Sequence, residues 1–169
     1  QRLRIVASTE VESSIAAAVA AAAARPAPEE PAPEPEVASN AMVWPIRGAI
    51  TSRFGWRSIF GGSSMHYGLD IDGDTGDPIL AATAGTVVFA GWSGSYGQLI
   101  IVENGNHEYY YAHNSEMLVN VGQRVDTGDV IGRVGVTGRT TGSHLHFEIR
   151  VDGNPIDPLP ILEAQAGVR

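Results

Sequence analysis

Five histidines, at positions 66, 107, 113, 144 and 146, fall in a chain of 169 residues, and the last two carry the sharpest signal. In Gly142-Ser143-His144-Leu145-His146-Phe147-Glu148-Ile149, strand alternation puts His144, His146 and Glu148 on one face. Leu145, Phe147 and Ile149 then point to the opposite, core face. Imidazoles at i and i+2 stand roughly 6.5–7 Å apart at their backbones. Both can ligate one metal at that spacing, or one can ligate while the other serves a metal-bound water. A merely polar, solvent-facing strand is the bland alternative, and two histidines followed by a glutamate on the same face weigh against it.

His66-Tyr67-Gly68-Leu69-Asp70 is a second cluster. Fully extended, it would hold residues four apart about 13 Å from each other. Ligating atoms must come within about 2 Å of zinc, so the backbone has to bend, and Gly68 is the residue expected to permit it. HxxxD is a weak pattern alone and gains meaning beside HxH. A calcium loop built on Asp70, Asp72, Asp74 and Asp77 fails by position, because Thr75 stands where an EF-hand needs glycine and Ala81 where it needs glutamate. These aspartates read more simply as turn residues. In a third cluster, Tyr109-Tyr110-Tyr111-Ala112-His113-Asn114-Ser115, a histidine ends an aromatic strand. His107, after Asn104-Gly105-Asn106, reads as an exposed loop residue with no assigned role.

The elements that must position these side chains are short strands separated by turns. Strands are expected at Leu69–Ile71, Ile79–Ala81, Thr86–Trp92, Leu99–Glu103, Glu108–Ala112, Val130–Val136 and His144–Val151. Asp72-Gly73-Asp74, Asn104-Gly105-Asn106, Thr127-Gly128-Asp129 and Asp152-Gly153 supply turns. No long helical period occurs after residue 43. The expectation is an all-β, mostly antiparallel fold, with curved sheets forming an open barrel or sandwich with a groove.

All 20 glycines lie between Gly48 and Gly167, which marks a boundary near residue 42. Residues 42–169 form the expected domain. Residues 1–41 comprise an alanine-rich segment and Pro26–Glu36, whose five prolines and four glutamates predict a solvated, largely disordered spacer. Because the chain begins with Gln1, its start is read as internal to a longer product; Arg2 and Arg4 only faintly resemble a signal sequence, which Glu10 and Glu12 interrupt. A spacer ahead of a domain implies an upstream module or membrane anchor.

Composition narrows the chemistry. The chain has no cysteine and no lysine, which removes thiolate metal sites, Cys nucleophiles, Schiff bases and lysine-borne lipoyl or biotinyl groups. A net charge of −8 argues against nucleic-acid binding. No apolar run approaches the ~20 residues that span a bilayer.

Taken in order, HxxxD, YxH and HLHFE resemble the M23 zinc metallopeptidases, the lysostaphin and LytM type. The surroundings fit as well. Ser52-Arg53-Phe54-Gly55-Trp56-Arg57 is similar to the family's SxFGxR segment, Gly68-Leu69-Asp70-Ile71 to its GxD strand, and Ala84-Gly85-Thr86-Val87 to its AxxxGxV hairpin. Gly122-Gln123-Arg124-Val125 through Gly128-Asp129-Val130-Ile131-Gly132, and Gly138 through Glu148, follow its remaining passages. The resemblance covers about residues 43–160.

It implies one Zn2+ per chain on His66, Asp70 and His146, with His113 and His144 as an unligated catalytic pair. A three-ligand zinc keeps an open position and lowers the pKa of its water toward neutrality. His144 would then be the general base or orient the water, and His113 would stabilise the oxyanion or protonate the leaving amine, with these roles exchangeable. Glu148 is expected behind the ligands or paired with an arginine. Asn114, where the family usually has leucine, is expected to alter the groove wall without removing a ligand. The implied substrate is the peptide cross-links or stem peptides of bacterial peptidoglycan, outside the cytoplasmic membrane in the periplasm or beyond, so that an upstream module would target the envelope. Loops Ser52–Ser64 and Trp92–Gly97 would wall the groove, with Phe60, Trp92 and Tyr96 as contacts. The rival reading is a non-enzymatic or autoinhibited envelope module with a blocked zinc site.

Overall fold

The computed structural model describes residues 42–59 and 62–166. The alanine-rich segment, the Pro/Glu-rich spacer and Phe60 lie outside the described residues. Twelve strands follow in order: β1 (Ile50–Ser52), β2 (Gly55–Ile59), β3 (Gly62–His66), β4 (Leu69–Asp72), β5 (Pro78–Leu80) and β6 (Gly85–Ser93). Then come β7 (Gly97–Asn104), β8 (His107–Met117), β9 (Arg124–Val125), β10 (Val130–Val134), β11 (His144–Val151) and β12 (Asn154–Ile156). One short helix, α1 (Pro158–Gln165), ends the described chain; Asp157 caps it by accepting from the Leu159 N–H, and Pro158 opens it. Among the described residues, no helix is long and apolar enough to cross a membrane.

Ten strands join in one antiparallel sheet whose main path runs β1-β4-β11-β8-β7-β6-β9. β10 pairs with both β5 and β8, β12 pairs with β11, and β2 and β3 form a separate hairpin. The all-β, antiparallel expectation holds, and the predicted strand over His144–Val151 forms with those bounds. Loop Ser52–Ser64 is instead largely the β2–β3 hairpin, and Trp92 lies within β6. His107 opens β8 and stacks on Tyr109, so it belongs to a strand and not to a loop.

Alternation along β11 works as its sequence dictates. Leu145, Phe147 and Ile149 are fully buried in the core with Leu69 and Ile71 of β4, Ile100 and Val102 of β7, and Tyr111 of β8. The opposite face of the same strand carries the polar cluster. Register then sets its neighbours: His146 lies opposite Asp70 on β4 and opposite Ala112 on β8.

The chain bends at Gly68, between β3 and β4, as expected, and it does so without a left-handed backbone angle. Its need is for space. A Cβ there would stand 2.5 Å from the Phe147 carbonyl oxygen and 2.9 Å from His146 Cε1. A bare backbone lets the β3–β4 turn press against β11, which brings His66 to His146.

A buried hydroxyl in the core offers a test. The Tyr111 hydroxyl accepts the Ala82 backbone N–H at 2.8 Å inside the fully buried cluster. Tyr111→Phe strands that donor and is expected to cost about 1–3 kcal/mol, read by chemical or thermal unfolding. Burial also raises the pKa values of Tyr109, Tyr110 and Tyr111. Unfolded phenols ionise from about pH 10, whereas the buried ones keep their protons, so stability falls as pH climbs above that point. The alkaline slope should be shallower in Tyr111→Phe.

Candidate metal centre and active site

His66 ends β3, Asp70 sits in β4 and His146 in β11, and all three side chains are buried. His66 Nε2 lies 3.0 Å from Asp70 Oδ1 and 3.0 Å from His146 Nδ1, and His146 Nδ1 lies 2.8 Å from the same Oδ1. The sequence-predicted ligand set therefore converges on one point.

The remaining atoms of these residues decide what the point can hold. His66 Nδ1 donates to the Arg53 carbonyl at 2.8 Å. A carbonyl only accepts, so in the neutral ring Nε2 carries the lone pair. His146 Nε2 donates to Glu148 Oε1 at 2.9 Å, which leaves Nδ1 bare. Arg57 pairs with the other carboxylate oxygen, Asp70 Oδ2, at 3.1 Å, and is itself held by Ser52 Oγ at 2.7 Å. Asp70 thus turns a single oxygen toward two unprotonated nitrogens.

Three acceptors this close repel unless a cation lies among them. Ligand spacing around a tetrahedral zinc, with bonds near 2.0–2.1 Å, is about 3.3 Å, close to the separations found. The donor set and its geometry fit a divalent ion of that kind, with one ligating atom each from His66, Asp70 and His146. Without metal, a proton relieves the repulsion. Burial by itself would lower the His146 pKa, but Asp70 and Glu148 together push it up. Burial would likewise raise the Asp70 pKa, and His146 and His66 reverse it, holding the carboxyl well below the usual range. Proton and metal compete for one place.

Glu148 is fully buried and saturated with partners. Beyond His146, its Oε1 accepts from the Tyr96 hydroxyl at 2.7 Å, and its Oε2 accepts from Arg150 at 2.7 and 2.8 Å. Arg150 in turn lies 4.3 Å over the Tyr110 ring. Burial would raise the Glu148 pKa, and His146, Tyr96 and Arg150 outweigh it, so the carboxylate stays ionised. Tyr96, half-buried, thus backs His146 through Glu148. Trp92 is 64% exposed on β6 and makes no ring contact with the site histidines among the described residues.

His113 and His144 stand beside the triangle with rings 4.9 Å apart. Each is tied through Nδ1 to a backbone carbonyl, His113 to Thr137 at 2.8 Å and His144 to Gly142 at 2.9 Å. Their Nε2 atoms are left as acceptors in the neutral rings, and that of His144 is 3.6 Å from Asp70 Oδ1. Burial pushes the His113 pKa down to about 4, against the opposing pull of the Thr137 carbonyl.

Sequence reasoning assigned no task to Arg57, to the Arg53 carbonyl or to Thr137. The SxFGxR segment was a legible signal for the first two, though not for what they touch. Asn114 is fully buried and does not form a groove wall; its amide bonds two main-chain carbonyls.

Fold and site together define a class: an antiparallel β-sheet protein with a His2Asp cluster whose geometry can hold a divalent metal and two further histidines at its rim. The profile of Peptidase family M23 matches residues 64–158. A lipoprotein NlpD/LppB homolog of Pseudomonas aeruginosa is 43% identical over 76% of this chain and 43% of its own length. The DD-carboxypeptidase/endopeptidase Mpg of Neisseria meningitidis is 39% identical over 66% of this chain and 26% of its own. The murein hydrolase activator NlpD of Escherichia coli is 42% identical over 70% of this chain and 30% of its own. The chain thus spans less than half the length of these curated relatives. Among solved structures, the catalytic domain of the peptidase lysostaphin from Staphylococcus simulans aligns with a TM-score of 0.64 at 34% identity, covering 69% of this chain and 92% of that one. A zinc-containing peptidase from Vibrio cholerae aligns at 0.65 and 32% identity, covering 69% and 39%. The chain belongs to peptidase family M23.

Zinc titrated into chelator-treated protein is expected to bind at one ion per chain, followed by competition with a chromophoric chelator. Glu148→Gln keeps an acceptor for His146 but loses the charge. It should weaken zinc binding about 10–100-fold; unchanged affinity would show that the carboxylate does not act on the ligand.

Proposed function

We propose that the chain is a zinc-dependent endopeptidase that hydrolyses stem peptides or cross-links of bacterial peptidoglycan in the cell envelope, periplasmic or extracellular. The observation that carries this reading is the triangle of His66 Nε2, Asp70 Oδ1 and His146 Nδ1, with spacings of 2.8–3.0 Å and two carbonyl-anchored histidines alongside. When bound, zinc supplies Lewis acidity, lowering the pKa of a coordinated water toward neutrality and polarising a peptide carbonyl.

The chain's own residues do the rest. His66, Asp70 and His146 hold the ion. Arg53 and Glu148 fix the tautomers that direct bare nitrogens at it, and Arg57 limits Asp70 to one oxygen. His144 and His113 handle the proton. Hydrolysis moves one proton from the attacking water to the departing amine, and a neutral imidazole with Nδ1 tethered can accept it at Nε2 and return it. His113, with its pKa near 4, is neutral at pH 7. His144 is assigned the base or water-orienting role, and His113 the oxyanion or leaving-group role. The peptidase activity is supported by the name of the Neisseria relative, a DD-carboxypeptidase/endopeptidase, and the murein setting by the name of the Escherichia coli relative.

A second reading is favoured by the names of two relatives, a lipoprotein and a murein hydrolase activator, at 43% and 42% identity. On it, the chain is an envelope module that regulates other hydrolases, or an enzyme whose zinc site the N-terminal segment blocks. Zymograms of residues 42–169 beside the longer chain separate these, since a blocked enzyme gains activity on truncation.

Mass spectrometry of muropeptides released from purified sacculi, with and without chelator, tests the main reading. Metal-dependent release of cleaved peptides is expected. His113→Ala and His144→Ala should each abolish release while zinc stays near one per chain, and wild-type-like turnover in either variant would refute the assignment.

A further inference from the structure

We infer that Asn114 and Thr137 form a clamp that holds His113 in a left-handed backbone conformation at the point where β8 changes partners, making them positioning residues for the proposed hydrolysis. The inference rests on that reading for its catalytic part and on geometry for the rest.

β8 serves two neighbours in succession. Residues His107–Ala112 pair with β11, and Asn114–Met117 pair with β10. His113 is the residue between. On its other side, Gln98 and Ile100 of β7 face Asn114 and Tyr111, so two steps on β7 span three on β8. This is a bulge, the device by which a strand re-aims one side chain. His113 has φ 63°, one of two non-glycine residues with positive φ among the described residues. A non-glycine residue is seldom found there, histidine less rarely than most, and a residue held there inside a sheet needs partners that fix it.

The surroundings supply those partners. Asn114 Nδ2 donates to the Tyr111 carbonyl at 2.6 Å and to the Gln98 carbonyl at 2.8 Å, spanning the bulge and tying it to β7. Thr137 Oγ1 donates to the Asn114 carbonyl at 2.7 Å and accepts the Gln98 N–H at 3.0 Å. The Thr137 carbonyl accepts from His113 Nδ1. One residue therefore holds both the backbone after the bulge and the ring that the bulge presents.

The clamp has a visible cost. Both Asn114 bonds go to carbonyls, so its nitrogen must face them, and its Oδ1 is left buried without a partner. That oxygen points at Gly132, where a Cβ would stand 2.7 Å from it. An apolar side chain of similar size would avoid the unpaired oxygen. Retaining an amide here is explained by what its nitrogen holds.

The test uses the full chain, with Asn114→Leu, Thr137→Val and Thr137→Ser. Thr137→Val removes one hydroxyl and two bonds; Thr137→Ser keeps both. NMR scalar couplings report φ of His113, and imidazole 15N shifts report its Nδ1 proton, independently of activity. Release of dye from labelled sacculi gives the rate at saturation and the half-saturating concentration. Thr137→Val and Asn114→Leu are expected to shift φ or the Nδ1 signature. They should slow saturated release by about 10–100-fold, with half-saturation and zinc content unchanged, and Thr137→Ser should restore both. If Asn114→Leu does not fold, Thr137→Val decides. A folded Thr137→Val with wild-type couplings and 15N shifts overturns the clamp; altered couplings with wild-type release overturn its positioning role. If wild-type protein releases nothing, the hydrolase reading fails and the couplings alone judge the clamp.

Discussion

Three hydrogen-bond acceptors cannot share a few ångströms of buried space unless positive charge joins them. That constraint organises this protein. His66 Nε2, Asp70 Oδ1 and His146 Nδ1 meet at 2.8–3.0 Å, and each residue has its other polar atom occupied elsewhere. Arg53, Arg57 and Glu148 supply those occupations from a loop, a hairpin strand and β11. The Arg53 carbonyl and Glu148 keep the two rings from turning, and Arg57 keeps the carboxylate from swinging. The cradle is therefore a property of two shells, and the outer one is what gives the inner one its direction.

The sheet provides the rigidity this requires. β11 is flanked by β4 and β8, so Asp70 and His146 sit on adjacent, hydrogen-bonded strands whose register cannot slip without exposing Leu145, Phe147 and Ile149. The core face thereby protects the geometry of the polar face. His66 arrives from outside the main sheet, on the β2–β3 hairpin, and reaches β11 because Gly68 presents no side chain. His113 needs a different device, a bulge at a fork in the sheet, since regular pairing would continue the alternation of β8.

Much of this was legible in the residues. The seven expected strands all form, most of them longer than expected, because an apolar alternation bounded by glycine and aspartate turns specifies a half-buried strand locally. β1, β2, β3, β9, β12 and α1 were not foreseen. They are short or lack alternation, and their pairing comes from neighbours distant in the chain. Glu148 was expected behind a ligand or beside an arginine, and it touches both His146 and Arg150. Asn114 was expected at the groove wall and is buried instead, and Tyr96 carries a hydroxyl bond to Glu148 that was not foreseen. Each carries a polar group whose partner lies across strands, and no local pattern names that partner.

By itself, the sequence determined which side chains share a face. A strand's period of two directs His144, His146 and Glu148 one way whatever surrounds them, and the absence of cysteine and lysine removes whole chemistries. Only the tertiary structure decided which nitrogen of each imidazole is bare, that His66 meets His146 across 80 positions, and that Asn114 turns inward. Side-chain direction is set by backbone torsions one residue at a time, whereas tautomer and partner depend on which carbonyl or carboxylate long-range pairing brings within hydrogen-bonding distance.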